Sequence, residues 1–241
     1  MKEDYISYRL SNILHGGKNE GETSWTNVPR LFPNSLGHRY TIKYNGKPIS
    51  SSNQYWRSNI NVINDIINDY KNEKNYIKYD RHEPTFDEVI VYMRMGDAIF
   101  DGKSKSDYFF EYKDIKFDVR KEHVHKIDYY EKLIPKIKEY NINKVVLMGN
   151  MFHKNIEHKT ENNNIKYLDS MIDFFESNEL DVECLIERTY NPKSLHHKNV
   201  DREFIYMTDS KYYIPSKTHI VSTSFSNLIT NQVRKNGGIV L

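Results

Sequence analysis

The sequence predicts an α/β protein, a parallel β-sheet with α-helices packed on both faces. Three features predict it. Short apolar runs rich in β-branched residues recur after residue 86, amphipathic helical patterns separate them, and the runs end in glycine, asparagine, serine or threonine. Strands joined through helices run parallel, and right-handed crossovers bring their carboxyl ends to one edge. Residues 86–241 therefore read as one α/β domain, and residues 1–85 as a smaller N-terminal region.

The N-terminal region is the less regular part. Arg9–Gly17 reads as a helical turn ended by two glycines, and Lys18–Gly37, with Pro29 and Pro33, reads as loop. Tyr40–Tyr44 and Lys47–Ser50 flank Asn45-Gly46, which favours a type I′ turn, so they predict a hairpin. Ile60, Val62, Ile63, Ile66, Ile67 and Tyr70 fall at helical spacing and predict an amphipathic helix over 56–70. Lys71–Glu83 is a charged connector.

In the α/β domain, Val89, Ile90 and Val91 nucleate a first strand, Val89–Met95. Asp97–His125 reads as a long polar loop with a strand near Tyr108–Tyr112. Asp128 is placed to cap a helix that carries Tyr130, Leu133, Ile134, Ile137 and Tyr140. Lys144–Met148 is a second strand that stops at Gly149-Asn150. Residues 155–164 are polar and fit helix or loop, and Asp169–Asn178 is a helix. Val182–Ile186 is a strand, Tyr190–Asn199 a loop and Asp201–Thr208 a helix. His219–Ser222 is a strand, Phe225–Lys235 a helix and Gly238–Leu241 the last strand.

Composition narrows the partners. The 241 residues carry 35 Lys plus Arg against 33 Asp plus Glu, a net charge of +2. That balance does not suggest a nucleic-acid protein. Mean hydropathy is −0.77, yet 19 Tyr and 11 Phe supply core material and argue against disorder. Cys184 stands alone, so it forms no internal disulfide and reads as a small buried core residue, consistent with a reducing compartment. The N-terminus lacks an apolar signal core, and no run approaches the ~20 apolar residues of a membrane span. A soluble, cytoplasmic protein is the expectation.

The chemistry concentrates in two stretches. Asp87–Asp97, DEVIVYMRMGD, is a strand that delivers Arg94, Gly96 and Asp97 to its carboxyl end. In α/β sheets that edge is where ligands bind. Arg94 offers a planar fork of donors suited to phosphate, and Gly96 permits positive φ or a close backbone approach. The second stretch is His219–Ile229, HIVSTSFSNLI, in which a strand gives way to a helix within Ser224–Asn227. Free amides and the positive end of the helix dipole suit an anion there, although serines also serve as ordinary caps. Neither G-x-x-x-x-G-K-[ST] nor G-x-G-x-x-G occurs, and there is no G-x-S-x-G elbow.

These stretches carry a resemblance. Val91–Asp97, VYMRMGD, resembles the His-x-Arg-x-Gly-Asp motif of the inverting fucosyltransferases, the alpha-1,2, alpha-1,6 and protein O-fucosyltransferase group. Thr223–Asn227, TSFSN, resembles that group's Ser/Thr-Ser/Thr-Phe-Ser motif near the C-terminus. Between them, Val145–Asn150, VVLMGN, is similar to a strand ending in a nucleotide-contacting turn, and Asp201–Met207, DREFIYM, to the acidic-aromatic-Met segment before the last motif. Arg9–Leu14, RLSNIL, is a weaker match to the opening Gly-x-Gly-Asn-x-Leu segment. The order agrees over about residues 86–236.

The resemblance implies a Rossmann-like, GT-B-like enzyme with a reduced N-terminal, acceptor-side half. It implies transfer of fucose from GDP-fucose to a glycan hydroxyl with inversion, and no essential metal or other cofactor. By position, Arg94 would neutralise the β-phosphate of the leaving GDP. Ser224, Ser226 and nearby amides would hold the same diphosphate, Asn150 and Asp201 would lie near the ribose or base, and Gly96, Gly149, Thr223, Phe225 and Asn227 would complete the donor site. The motif's His is Tyr92 here, and the part before residue 86 is short for a full acceptor domain. Inversion needs a base for the acceptor hydroxyl, and Asp97 and Asp101 are the candidates.

Other features read as structural. His123-x-His125 and His196-His197 have metal-compatible spacing but no third ligand in sequence, so they read as solvated loop residues. Tyr108, Phe109, Phe110 and Tyr112 read as loop packing rather than a sugar platform. The alternatives to a fucosyltransferase are a transferase using another GDP- or UDP-linked deoxyhexose or pentose, a non-catalytic nucleotide- or glycan-binding module, and an unrelated phosphate-ester enzyme.

Overall fold

A computed structural model describes residues 42–44, 47–49, 68, 71, 81–99, 108–121, 123–151, 161–188, 203–217 and 225–241. β1 (Ile42–Tyr44) and β2 (Lys47–Ile49) form the expected antiparallel hairpin, with Ile42 opposite Ile49. The helix read over 56–70 and the segments read over 9–37 lie outside the described residues, apart from Asn68, which is helical.

The α/β unit begins with β3 (Glu88–Arg94), whose apolar residues are buried on both faces, as a central parallel strand requires. Met95 leads into a 3-10 turn, Gly96–Ala98. β4 (Phe109–Tyr112) and β5 (Ile115–Asp118) follow as a hairpin, then α1 (Ile127–Glu131), α2 (Ile134–Glu139) and β6 (Lys144–Asn150). The chain continues with α3 (Glu161–Ser177), β7 (Asp181–Cys184), α4 (203–208), β8 (Tyr212–Ile214), α5 (Phe225–Lys235) and β9 (Ile239–Val240).

β3, β6, β7, β8 and β9 make one wholly parallel sheet in the order β7-β6-β3-β8-β9. Counted along the chain, this is 3-2-1-4-5, the order of doubly wound nucleotide-binding sheets. The chain starts at the centre, runs outward to β7, and returns to the other side at β8. The order thus reverses between β3 and β8. The α/β prediction is met in this coarse form.

Strand alternation sorts the core into two layers. Val89, Val91 and Met93, with Val145, Leu147, Tyr212 and Ile214, face a cluster built by Ile127, Tyr130, Ile137, Tyr167, Met171 and Phe175 of α1–α3. The opposite face meets α4 and α5: Tyr206 reaches Glu88 at 3.3 Å and Ser226 reaches Tyr213 at 3.3 Å. Each layer buries several large side chains, worth about 1.5–3 kcal/mol apiece in transfer terms.

Several elements differ from the sequence expectation. His219–Ser222 falls outside the described residues, whereas Tyr212–Ile214 is a strand that the sequence did not suggest. All its residues are buried and Pro215, unable to donate to a ladder, ends it. The supposed loop after β3 holds a second strand, β5, joined to β4 through Lys113 (φ 45°) and Asp114 (φ 65°), the paired positive φ of a tight hairpin. The single helix expected beyond Asp128 is two, because Pro135 near the start of α2 cannot continue the ladder of α1. Asp128 lies inside the first turn of α1 and Lys126 holds the N-cap position, so Asp128 favours the helix dipole instead of capping. α3 starts at Glu161 rather than Asp169, burying Asn164, Tyr167 and Leu168 at helical spacing.

The amino end of the sheet is closed by ions. Arg81 donates to Glu88 (3.0 and 2.8 Å) and to Glu183 (2.8 and 2.6 Å), and Lys144 joins Glu183 at 2.7 Å. The Arg81 guanidinium also lies over the Tyr206 ring, 5.4 Å from its centroid. Burial opposes the Arg81 charge, but its bonds to Glu183 and Glu88 outweigh that and raise its pKa. The Arg81 bonds carry the Glu183 carboxyl down to about 2 against its desolvation.

Candidate functional site

The strand order reverses between β3 and β8, and in doubly wound sheets ligands bind beyond the carboxyl ends of the strands at such a reversal. Arg94 is the last residue of β3 and is half-buried. It shares a face with Tyr92, whose hydroxyl is pushed up by burial while the Arg94 charge pulls it down. Tyr92 acts in turn on Tyr213, and Tyr213 bonds Ser226 in the first turn of α5. Arg94, Tyr92 and Tyr213 thus lie on one face of the sheet, the face that Ser226 of α5 meets.

Ser226 departs from the sequence expectation in its side chain. Only 1 % exposed, it spends its hydroxyl on Tyr213 at 3.3 Å, so it anchors α5 from below instead of offering that hydroxyl to a diphosphate. The backbones of Phe225 and Asn227 lie in the same first turn. Thr223, Ser224, Asp101 and Asp201 lie outside the described residues.

Gly149 and Asn150 are also corrected. They are the last two residues of β6, paired with Met93 and Arg94, and not a turn beyond the strand. Gly149 is required by close approach: a Cβ there would overlap the Met93 carbonyl oxygen, and its φ is +153°. Asn150 therefore ends its strand directly beside Arg94.

Gly96 begins the turn after β3 at φ 69°, a conformation that glycine adopts without a Cβ penalty. Its N–H donates to Asn164 Oδ1 at 2.7 Å, and Asn164 Nδ2 donates back to the Gly96 carbonyl at 3.2 Å. Asn164 is completely buried. It fixes the turn that carries the Asp97 backbone, and sequence reasoning missed it because an Asn-rich stretch reads as loop.

A second missed group lies beyond the end of β8, the strand beside β3. The segment after β5 hangs from the same turn: Arg120 N–H donates to Ala98 O at 2.9 Å, and Ile99 bridges Val119. Lys217 stands three residues beyond Ile214, as Arg94 stands three beyond Ile214's partner Val91. Lys217 Nζ donates to the Tyr108 hydroxyl at 3.1 Å. Lys126, Lys217 and Lys121 lie 4.7, 4.9 and 5.9 Å from the Tyr108 ring centroid.

His125 sits among them, half-buried rather than solvated. Its ring stacks on Tyr129 at 3.6 Å between centroids. Burial, and then the Lys217 charge, push its pKa down to about 4, against a hydrogen bond to the Pro215 backbone. His125 is therefore neutral near pH 7. His196 and His197 lie outside the described residues.

The Tyr108–Tyr112 stretch divides by face. Phe110 packs with Phe117 and Tyr167, and Tyr112 donates to Asp173 at 2.6 Å, so these two serve packing as expected. Tyr108 instead faces the lysines. Among the described residues, no three His, Cys, Asp or Glu gather as metal ligands, and no helix is long and apolar enough to cross a membrane.

No family model, curated protein or solved structure matches the chain. The site must be read from its own chemistry. That chemistry is cationic: Arg94 ends β3, and three lysines, one of them just beyond β8, surround Tyr108 beside a neutral imidazole. Cations at the ends of such strands suit a phosphate-bearing ligand.

Proposed function

We propose that the chain is a glycosyltransferase that moves a sugar from a nucleotide sugar, GDP-fucose first among candidates, to a glycan hydroxyl with inversion. The observation that carries this reading is the position of Arg94 at the β3–β8 reversal, with the α5 N-terminus on the same face. The ordered fucosyltransferase-like motifs support it. In sugar transfer, charge builds on the departing diphosphate. A preorganised guanidinium and helix amides stabilise that charge more than the ground state. Arg94 takes the β-phosphate, and the amides of 223–227 take the rest. By the resemblance, Asn150 and Asp201 would contact the nucleoside. Asp97, on the turn pinned by Asn164, or Asp101 accepts the acceptor's proton.

The second reading is a module that binds a nucleotide without turning it over. Tyr92, standing where the motif has His, favours it: a buried phenol with a raised pKa is no base near neutrality. Release of GDP from GDP-fucose, assayed with a panel of UDP-, ADP- and dTDP-sugars, separates the readings. Slow GDP release that disappears in Arg94→Ala supports transfer. Nucleotide binding with no release from any donor, with or without glycan acceptors, overturns it in favour of the binding module.

A further inference from the structure

Three ammonium groups gather around the ring of Tyr108. Lys126 and Lys217 are half-buried and approach the Tyr108 centroid to 4.7 and 4.9 Å, and Lys121 to 5.9 Å. Their charges therefore fall within one small sphere. Among the described residues, none of the three pairs with a carboxylate. The ring quadrupole offsets part of the mutual repulsion but supplies no net charge. The adjacent imidazole adds none, since burial and Lys217 keep it neutral.

The scaffold holds this arrangement in place. Lys217 follows the end of β8, Lys126 sits at the N-cap of α1, and Lys121 follows a segment tied to Ala98 by the Arg120 amide. His125 joins α1 to Pro215, closing the group on itself.

We propose that Lys121, Lys126 and Lys217, set around Tyr108, form an anion site separate from Arg94 that takes a phosphate or diphosphate group. Compact ammonium groups suit a multiply charged oxyanion as point charges, without the bidentate geometry that arginine imposes. The group is carried either by an anionic acceptor or by a second part of the donor. The site itself does not depend on the glycosyltransferase reading.

The test is calorimetric titration of the intact chain with inorganic pyrophosphate and, separately, with GDP, at low and high salt. The proteins are wild type, Arg94→Ala, Lys121→Gln, and the double variant Lys126→Gln/Lys217→Gln. Lys121 is exposed, so its change leaves the fold intact and guards against a double variant that fails to fold. The site predicts pyrophosphate binding that persists in Arg94→Ala, falls severalfold in Lys121→Gln and at least tenfold in the double variant, and weakens with salt. GDP binding retained by Lys121→Gln and the double variant assigns the anion to the acceptor, and GDP binding weakened by them assigns it to the donor. No pyrophosphate binding by wild type overturns the proposal. So does unchanged binding in Lys121→Gln, or loss in Arg94→Ala. Failure of GDP to bind wild type, with pyrophosphate still held, counts against the donor reading alone.

Discussion

Asn164 holds the peptide of Gly96 by both its polar groups, accepting the N–H at 2.7 Å and donating to the carbonyl at 3.2 Å. An amide side chain here does what a neighbouring strand would do. It reaches from the first turns of α3 to the turn after β3 and fixes the exit of the central strand. Asn164→Ala leaves both Gly96 groups without that partner in a buried place. A loss of about 2–3 kcal/mol follows. Urea unfolding gives the loss, and faster hydrogen exchange at the Gly96 amide locates it.

Gly149 marks where β6 comes closest to β3. Gly149→Ala drives a methyl into the Met93 carbonyl, with backbone on both sides of the overlap and little to yield. The expected cost is ~3 kcal/mol or more, as for other strained or overpacked positions. Denaturant midpoints compared with Gly237→Ala provide the control. At Gly237 a Cβ meets nothing within 4 Å, so only the strain of φ +80° remains.

His125 gives the fold an acid-sensitive seam. Its folded pKa is about 4, against 6.5 for the free side chain. Below 6.5 the unfolded chain binds the proton first. The stabilising effect of the neutral ring is therefore full above pH 6.5 and is lost as pH falls through 4. About 2 kcal/mol is at stake after allowing for partial exposure. The stability–pH curve of His125→Phe should be flatter than wild type between pH 6.5 and 4. Parallel curves would contradict the assignment.

Arg81 ties three parts of the chain at the amino end of the sheet. Its side chain is 5 % exposed and Glu88 is 1 % exposed. Arg81→Ala strands a buried carboxylate, so stability drops by about 3–5 kcal/mol. Arg81→Lys keeps the charge but not the fork, and recovers only part of that loss. Thermal and urea unfolding of the two variants, side by side, measure the difference.

The fold was legible where side-chain pattern and local structure agree. The β-branched run Val89–Val91 marked β3, and helical spacing marked α5. β8 was not legible: a three-residue strand in KYYIPSK leaves no room for a pattern. Within the site, Arg94 and Gly96 were readable because strand ends in parallel sheets carry ligands. Asn164 was not, since nothing local says that an asparagine will bond a glycine 68 residues away. Lys217 and Lys126 were hidden for the same reason. Lysines look alike in sequence, and only the sheet order brings them to one tyrosine. The bond of Ser226 to Tyr213 was not readable, because a helix-capping serine and a buried one share a sequence signature.

The central claim is that Arg94 anchors a nucleotide diphosphate at the β3–β8 reversal. The most direct measurement is the thermal shift of wild type and Arg94→Ala with GDP, UDP, ADP and dTDP. GDP at about 100 times its dissociation constant should stabilise wild type by ~2.7 kcal/mol. The account predicts that shift for wild type and its loss in a folded Arg94→Ala. An equal shift in both proteins, or none with any nucleotide in wild type, would contradict it.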